Sequence, residues 1–421
     1  MTDRTDTTSG TPLDTTAIRA RFPALERMEG GHPVAYFDGP GGTQVPGSVA
    51  DAIRRYLVEC NGNEGWNYAT SRETTGILAA GRAAMADFLG ARPDEVAFGA
   101  NMTTLTLRLS RALGHTLQPG DRVVVTELDH HANVDPWKAL SRERGAEIRV
   151  VRMDPDAGTL DLDDLADAVV GARILALGAA SNALGTVTDV RAAAEVARRE
   201  GATVFVDAVH YAPHELVDVH GLGADFLAVS PYKFYGPHSG VLWGRKERIE
   251  GLELPRVESS HDAAPDRLET GTLAFEAIAG ITAAIDFLAS IGGTASGDEG
   301  EGRRERLRTA YHALHARGDA LFERLWQGLA GIDRVRTFGP PPGAPRTPTI
   351  GFAIDGVEPR EAAGHLAERG LYVTHGDFYA TRVIERLGYR GPGILRAGCV
   401  AYTTQEEVDR LVAGVAEVAR P

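Results

Sequence analysis

Two residues of this chain have the clearest chemical potential: Lys233, in Ser230-Pro231-Tyr232-Lys233-Phe234-Tyr235-Gly236-Pro237, and Asp207, in Val206-Asp207-Ala208-Val209-His210. Asp207 closes the apolar pair Phe205-Val206, while Ser230 and Lys233 follow the run Phe226-Leu227-Ala228-Val229. An amine and a carboxylate carried just past the ends of two buried strands suit a pyridoxal phosphate site. The lysine forms a Schiff base with the aldehyde, and the aspartate keeps a proton on the pyridine nitrogen, which makes the ring an electron sink. The flanking Tyr232 and Phe234 argue for a buried amine, whose pKa falls. The bland alternative for Asp207 is a cap on the helix after its strand, but an unpaired carboxylate in so apolar a place calls for a cationic partner.

In an open α/β sheet, ligands bind beyond the carboxyl ends of the strands. His130 follows the run 123–126, and Asn182 follows 174–177, so both reach the same rim as Asp207, Ser230 and Lys233. One of His130 and His131 can stack a flat imidazole on a pyridine ring; the bland alternative is two surface histidines. Asn101-Met102-Thr103-Thr104 opens an apolar-periodic helix (Leu105, Leu109, Leu113), and a helix start with threonine hydroxyls can cradle a phosphate. Simple N-capping by Asn101 or Thr103 is the other reading, compatible with the first. His210 and His214 share a helical face and, with His220, would invite a metal. Pro213 interrupts that helix, and no metal is expected. Asp38-Gly39-Pro40-Gly41-Gly42-Thr43 lacks the G-x-G-x-x-G of a dinucleotide loop, yet Gly41 and Gly42 can offer bare amides to a carboxylate.

Positioning these side chains requires strands with covered faces. The runs 95–98, 122–126, 148–151, 173–177, 203–206, 226–229 and 240–243 are apolar without in-and-out alternation, as strands buried on both sides are. Helical patterns separate most of them, among them 190–199, which predicts an α/β fold with a mainly parallel sheet and helices on both faces. Residues 292–300, rich in Gly and Ser, read as a linker. Beyond it lie a long helical pattern, a break at Pro340-Pro341-Pro342, strands at 349–354, 371–373 and 394–396, and helices at 359–369 and 404–418. The expected division is a large domain over 44–291 and a smaller α+β domain over 292–421, which the segment 1–43 joins.

At 421 residues with a formal charge of −14, the chain lacks the basic surface that sequence-independent nucleic-acid binding needs. Its two cysteines, Cys60 and Cys399, make neither a disulfide framework nor a zinc knuckle. Residues 1–10 form a polar tail with no apolar core of a signal peptide, and no apolar run approaches the roughly 20 residues that cross a bilayer. A soluble cytoplasmic protein, without membrane or nucleic-acid partners, is expected.

These blocks together resemble the class V aminotransferase fold, and specifically its cysteine desulfurase-like branch. The similarity runs from Ile18-Arg19-Ala20-Arg21-Phe22-Pro23 to Glu406-Glu407-Val408-Asp409. Its most specific parts are Tyr36-Phe37-Asp38-Gly39-Pro40-Gly41-Gly42-Thr43-Gln44, His130-His131-Ala132-Asn133, Ser181-Asn182-Ala183-Leu184-Gly185-Thr186, Asp207-Ala208-Val209-His210 and Ser230-Pro231-Tyr232-Lys233. The resemblance implies fold type I of the pyridoxal phosphate enzymes, with a mainly parallel seven-stranded sheet and a smaller α+β domain. It casts Lys233 as the Schiff-base lysine, Asp207 as the pyridinium partner, His130 as the stacking imidazole and Asn182 as the donor near the phenolic oxygen. His210, Ser230 and Tyr232 become cofactor contacts, with Met102 and Thr103 at the phosphate. Thr272 matches a threonine that reaches the phosphate of a neighbouring subunit, which implies a homodimer with shared active sites. Arg396 matches the arginine that grips the substrate carboxylate, a role its fork suits.

Where desulfurases carry a loop cysteine, this chain reads Tyr372-Val373-Thr374-His375-Gly376-Asp377-Phe378-Tyr379-Ala380. An ordinary protein-persulfide relay is therefore not expected. The leading expectation is a lyase that acts on an amino acid through a Cα carbanion (a quinonoid) and releases a sulfur leaving group to solvent. Lys233 would take the α-proton, and His375 or Tyr379 would protonate the leaving group. The alternatives are an aminotransferase or epimerase, a true desulfurase, and a catalytically idle cofactor-binding protein.

Overall fold

The computed structural model describes residues 13–292 and 302–420; the polar tail 1–10 and the linker residues 293–300 lie outside the described residues. A seven-stranded sheet forms the centre. Its strands are β1 (Val96–Gly99), β2 (Arg122–Thr126), β3 (Glu147–Val151), β4 (Ala172–Gly178), β5 (Thr203–Asp207), β6 (Phe226–Val229) and β7 (Gly240–Gly244). They lie in the order β1-β7-β6-β5-β4-β2-β3, and all neighbours are parallel except β7, which runs antiparallel to both β6 and β1.

The unalternating apolar runs have a direct cause: both faces are covered. Val124, Leu175, Leu177, Val204, Val206 and Leu227 bury into one core, against helices Ala69–Leu89, Val190–Arg199 and Phe275–Ile291. Their neighbours Val123, Val125, Ile174, Ala176, Phe205 and Phe226 bury into the other, against Met102–Gly114 and Asp135–Arg144. Each such side chain contributes about 1.5–3 kcal/mol relative to exposure. Several predicted strand bounds move by one residue; at the first strand, Glu95 lies instead in the short 3-10 turn Pro93–Glu95, where its carboxylate accepts hydrogen bonds from Arg92 N at 3.0 Å and Trp243 Nε1 at 3.2 Å.

The C-terminal part starts with the long helix Arg303–Ala330 and contains a four-stranded antiparallel sheet. Its strands β8 (Val335–Phe338), β9 (Thr349–Ile354), β10 (Thr374–Gly376) and β11 (Ile394–Gly398) are ordered β8-β9-β11-β10. The predicted strand at 371–373 does not join this sheet, which takes the following residues instead. Leu371–Tyr372 pairs in parallel with Ala35–Tyr36 of the N-terminal segment, and only Thr374–Gly376 joins the sheet. Ala35 and Phe37 are buried in the same core as Ile350, Phe352 and Leu395. Thr404 caps the last helix, Gln405–Val418, in a reciprocal capping box with Glu407. No helix among the described residues is long and apolar enough to cross a membrane.

Candidate active site

The neighbouring strands β2 and β4 feed connections that leave toward opposite edges of the sheet, and the crevice at such a reversal is where α/β folds bind ligands. Beyond β2, Thr126 Oγ1 donates to Asp129 Oδ2 at 2.6 Å, Asn133 Nδ2 donates to Asp129 Oδ1 at 3.1 Å, and Trp137 Nε1 donates to Asn133 Oδ1 at 3.2 Å. This buried lattice fixes the turn that presents His130, whose Nδ1 accepts from Ala132 N at 3.0 Å. Asp207 is the last residue of β5, and the single turn Pro231–Lys233 follows β6. The resulting cavity encloses about 540 Å³ of empty space including its mouth. Lys233, Asp207, His130, Asn182, His210, Ser230, Tyr232, Met102 and Thr103 all line it.

Lys233 is 6% exposed and its Nζ donates to Pro40 O at 2.8 Å. Burial, aided by the Arg396 charge and opposed by Asp207, pushes this amine down to about 7. Burial pushes Asp207 up to about 6, although Val209 N donates to its Oδ1 at 2.9 Å and Lys233 favours its ionised form. His130 falls to about 4, through burial first and the Lys233 charge second, so its ring is neutral at pH 7. His210 is also buried, with Nε2 within 3.1 Å of Thr347 Oγ1.

Asn101 is the helix cap, its Oδ1 accepting from Thr104 N at 2.8 Å, and Thr103 is left facing the cavity. Arg396, on β11, donates from Nη1 to Asn182 O at 2.8 Å and from Nε to Thr374 Oγ1 at 3.1 Å. A Cβ added to Gly41 would lie 3.5 Å from Arg396 Nη2, and one added to Gly42 would lie 3.2 Å from the Tyr232 ring. A side chain at position 42 would thus crowd the Tyr232 ring, while the Gly41–Arg396 separation is ordinary contact.

Two expectations need correction. No helix spans His210 to His214; the chain turns there, and the two rings meet edge to face at 5.5 Å because the turn folds them together. Thr272, expected to serve a neighbouring subunit, is exposed and borders a separate pocket with Thr104, His238 and Ser239. His375 is exposed on β10; neither it nor Tyr379 lines the cavity, but the Tyr379 ring lies 5.4 Å from that of His130, which does.

Sequence reasoning missed Asp129, a fully buried cavity-lining acid pushed up to about 7 by burial, with Asp207 as a like-charged neighbour. Its place directly before His130 was the available signal. Asp38 was read only as part of a glycine turn, yet its buried Oδ1 has no hydrogen-bond partner and burial pushes it up to about 6. The Phe378 ring lies 4.2 Å from the Arg396 guanidinium carbon.

A flat phosphorylated pyridine fits these groups. Asn182 Oδ1 and His210 Nδ1 are buried without a partner, a buried amine and a buried acid share the cavity, and a helix start borders it. Fold and site together define a pyridoxal phosphate enzyme of fold type I. Residues 35–411 match the aminotransferase class-V family, and the chain belongs to that family.

It is 36% identical to a probable cysteine desulfurase of Mycobacterium leprae, with 97% of each chain covered. An aminotransferase-like protein of Gibberella zeae is 33% identical, with 94% of this chain and 96% of that protein covered. Among solved structures, a cysteine desulfurase from Thermococcus onnurineus in its apo form matches with a TM-score of 0.87 and 26% identity, covering 98% of this chain and 99% of that one. The chain is thus a pyridoxal phosphate-dependent enzyme of the cysteine desulfurase-like group.

Proposed function

We propose that this enzyme is a C–S β-lyase, acting on cysteine-like amino acids and releasing the sulfur leaving group to solvent without a protein persulfide. The state of the thiols carries this reading. Cys399 is 1% exposed, and burial together with Glu407 pushes it up to about 12. Cys60 is also buried, and burial raises its pKa. Neither lines the Lys233 cavity, and accepting sulfur requires an accessible thiolate.

When bound, pyridoxal phosphate supplies an aldehyde for Lys233 and a cationic ring that draws electrons from the substrate α-carbon. Asp207 would hold the proton on the ring nitrogen, and His130 would cover one ring face. Met102, Thr103, Ser230 and Tyr232 would receive the phosphate, with Asn182 and His210 at the ring's polar edge. Arg396 would grip the substrate carboxylate beside the amides of Gly41 and Gly42. Freed of its bond to the cofactor, Lys233 would take the α-proton, which suits an amine held near neutrality. Tyr379, or His375 if the loop turns inward, would protonate the leaving group. Thr272, exposed away from its own cavity, suits a contact across a homodimer.

Incubation with cysteine and S-alkyl cysteines tests the proposal. Pyruvate and ammonia are expected. Alanine with a persulfide on Cys399 would instead establish desulfuration, and a 2-oxo acid retaining the carbon skeleton, or a racemised substrate, would establish the aminotransferase or epimerase reading.

A further inference from the structure

Phe378 and Tyr379 adjoin the cavity, beside its lining residues Asn182 and His130, in an unusual backbone state, both with φ of 56°, in the left-handed region that bulky residues rarely adopt. Hydrogen bonds from the cavity walls hold them there. Asn182 Nδ2 donates to Phe378 O at 2.9 Å, and His131 N donates to Tyr379 O at 2.7 Å. Asp377 locks the turn from within, accepting from Tyr379 N at 3.1 Å and Thr381 Oγ1 at 3.0 Å, so its carboxylate is committed to the loop.

This conformation aims two aromatic rings at two functional groups. The Phe378 ring covers the Arg396 guanidinium at 4.2 Å, and the Tyr379 ring tilts against His130 at 5.4 Å and 40°. Tyr379 is 71% exposed, so most of its surface is free to be covered by a ligand. An amino acid with its carboxylate on Arg396 and its amine toward Lys233 must lead its side chain out past these rings. Aromatic faces gain by covering apolar carbon and by contact with polarizable thioether sulfur, and they offer little to a thiol or hydroxyl seeking hydrogen bonds.

We propose that Phe378 and Tyr379 are the specificity-determining pair of this site, selecting amino acids whose β-sulfur carries an alkyl or aryl substituent over those with a free thiol or hydroxyl. As a statement about turnover this rests on the lyase reading; as a statement about binding it does not.

The experiment uses the full-length holoenzyme with S-benzyl-cysteine, S-methyl-cysteine, cysteine and serine. Affinity is read from the cofactor's absorbance change and turnover from pyruvate. S-benzyl-cysteine should bind at least about tenfold more tightly than cysteine, the discrimination a modest apolar contact provides. Tyr379→Ala should bring that ratio close to unity by weakening the thioethers alone, while Tyr379→Phe, which keeps the ring, should retain the preference. Phe378→Leu should lower the ratio as well. Equal binding of cysteine and S-benzyl-cysteine by the unaltered enzyme would overturn the inference, as would an equal loss of all ligands in Tyr379→Ala. Selective thioether binding without pyruvate would sink the lyase reading and leave the selectivity standing.

Discussion

The closed end and the mouth of the Lys233 cavity are built in opposite ways. At the closed end, His130, Asp207 and Lys233 follow β2, β5 and β6, strands packed into cores on both faces. At the mouth, Arg396 comes from the small sheet, Phe378 and Tyr379 from a loop, and Gly41 and Gly42 from the N-terminal turn. These pieces meet largely through backbone oxygens: those of Pro40, Asn182 and Phe378 accept from Lys233, Arg396 and Asn182. The closed end cannot change without disturbing two cores, whereas the mouth can be rebuilt by altering a few loop residues. Cofactor chemistry thus belongs to the fold and substrate choice to the loops.

The sharpest way to break this contrast is Lys233→Ala. It should abolish the visible absorbance band on addition of pyridoxal phosphate and lower turnover by roughly a thousandfold, since on the proposed reading one side chain is both Schiff-base amine and α-proton base. Arg396→Lys strikes the other end. It keeps the charge but loses the fork, and should lower kcat/KM by about a hundredfold, chiefly through KM, with the visible band intact. Loss of the band in Arg396→Lys would mean that the two ends are one unit.

The same division explains what the sequence made legible. Strand-end residues could be read because doubly buried strands are conspicuous and the residue after each has a defined rim to occupy. Seven strands and the cavity-lining set around Lys233 follow from that logic. The mouth could not be read this way. Nothing in Gly376-Asp377-Phe378-Tyr379 announces two successive left-handed residues, because that state depends on donors from Asn182 and His131, distant in sequence. Pairing of Leu371–Tyr372 with Ala35–Tyr36 is equally non-local, as is the burial that leaves Asp38 without a partner. Asp129 differs: its signal is local, a carboxylate directly before two histidines, yet its partners Thr126 and Asn133 show only in the fold.

A smaller effect tests the one place where the ends interact electrically. Arg396 and burial push Lys233 down to about 7, while Asp207 pulls it back up. Only the free-base amine captures an aldehyde, and for a pKa of about 7 that fraction grows from about one tenth at pH 6 to about nine tenths at pH 8. Capture of pyridoxal phosphate by cofactor-free protein, followed as the visible band appears, should therefore speed up about tenfold across this window and then level off; an exposed lysine would keep gaining toward pH 10. His130, pushed down to about 4, stays neutral throughout and adds no inflection. The signs of two substitutions follow. Arg396→Gln removes a cation that disfavours the ammonium, so the midpoint should rise. Asp207→Asn removes an anion that favours it, so the midpoint should fall. A midpoint near 10, or one that neither substitution moves, would mean that the amine is solvated and that the mouth exerts no field on the closed end.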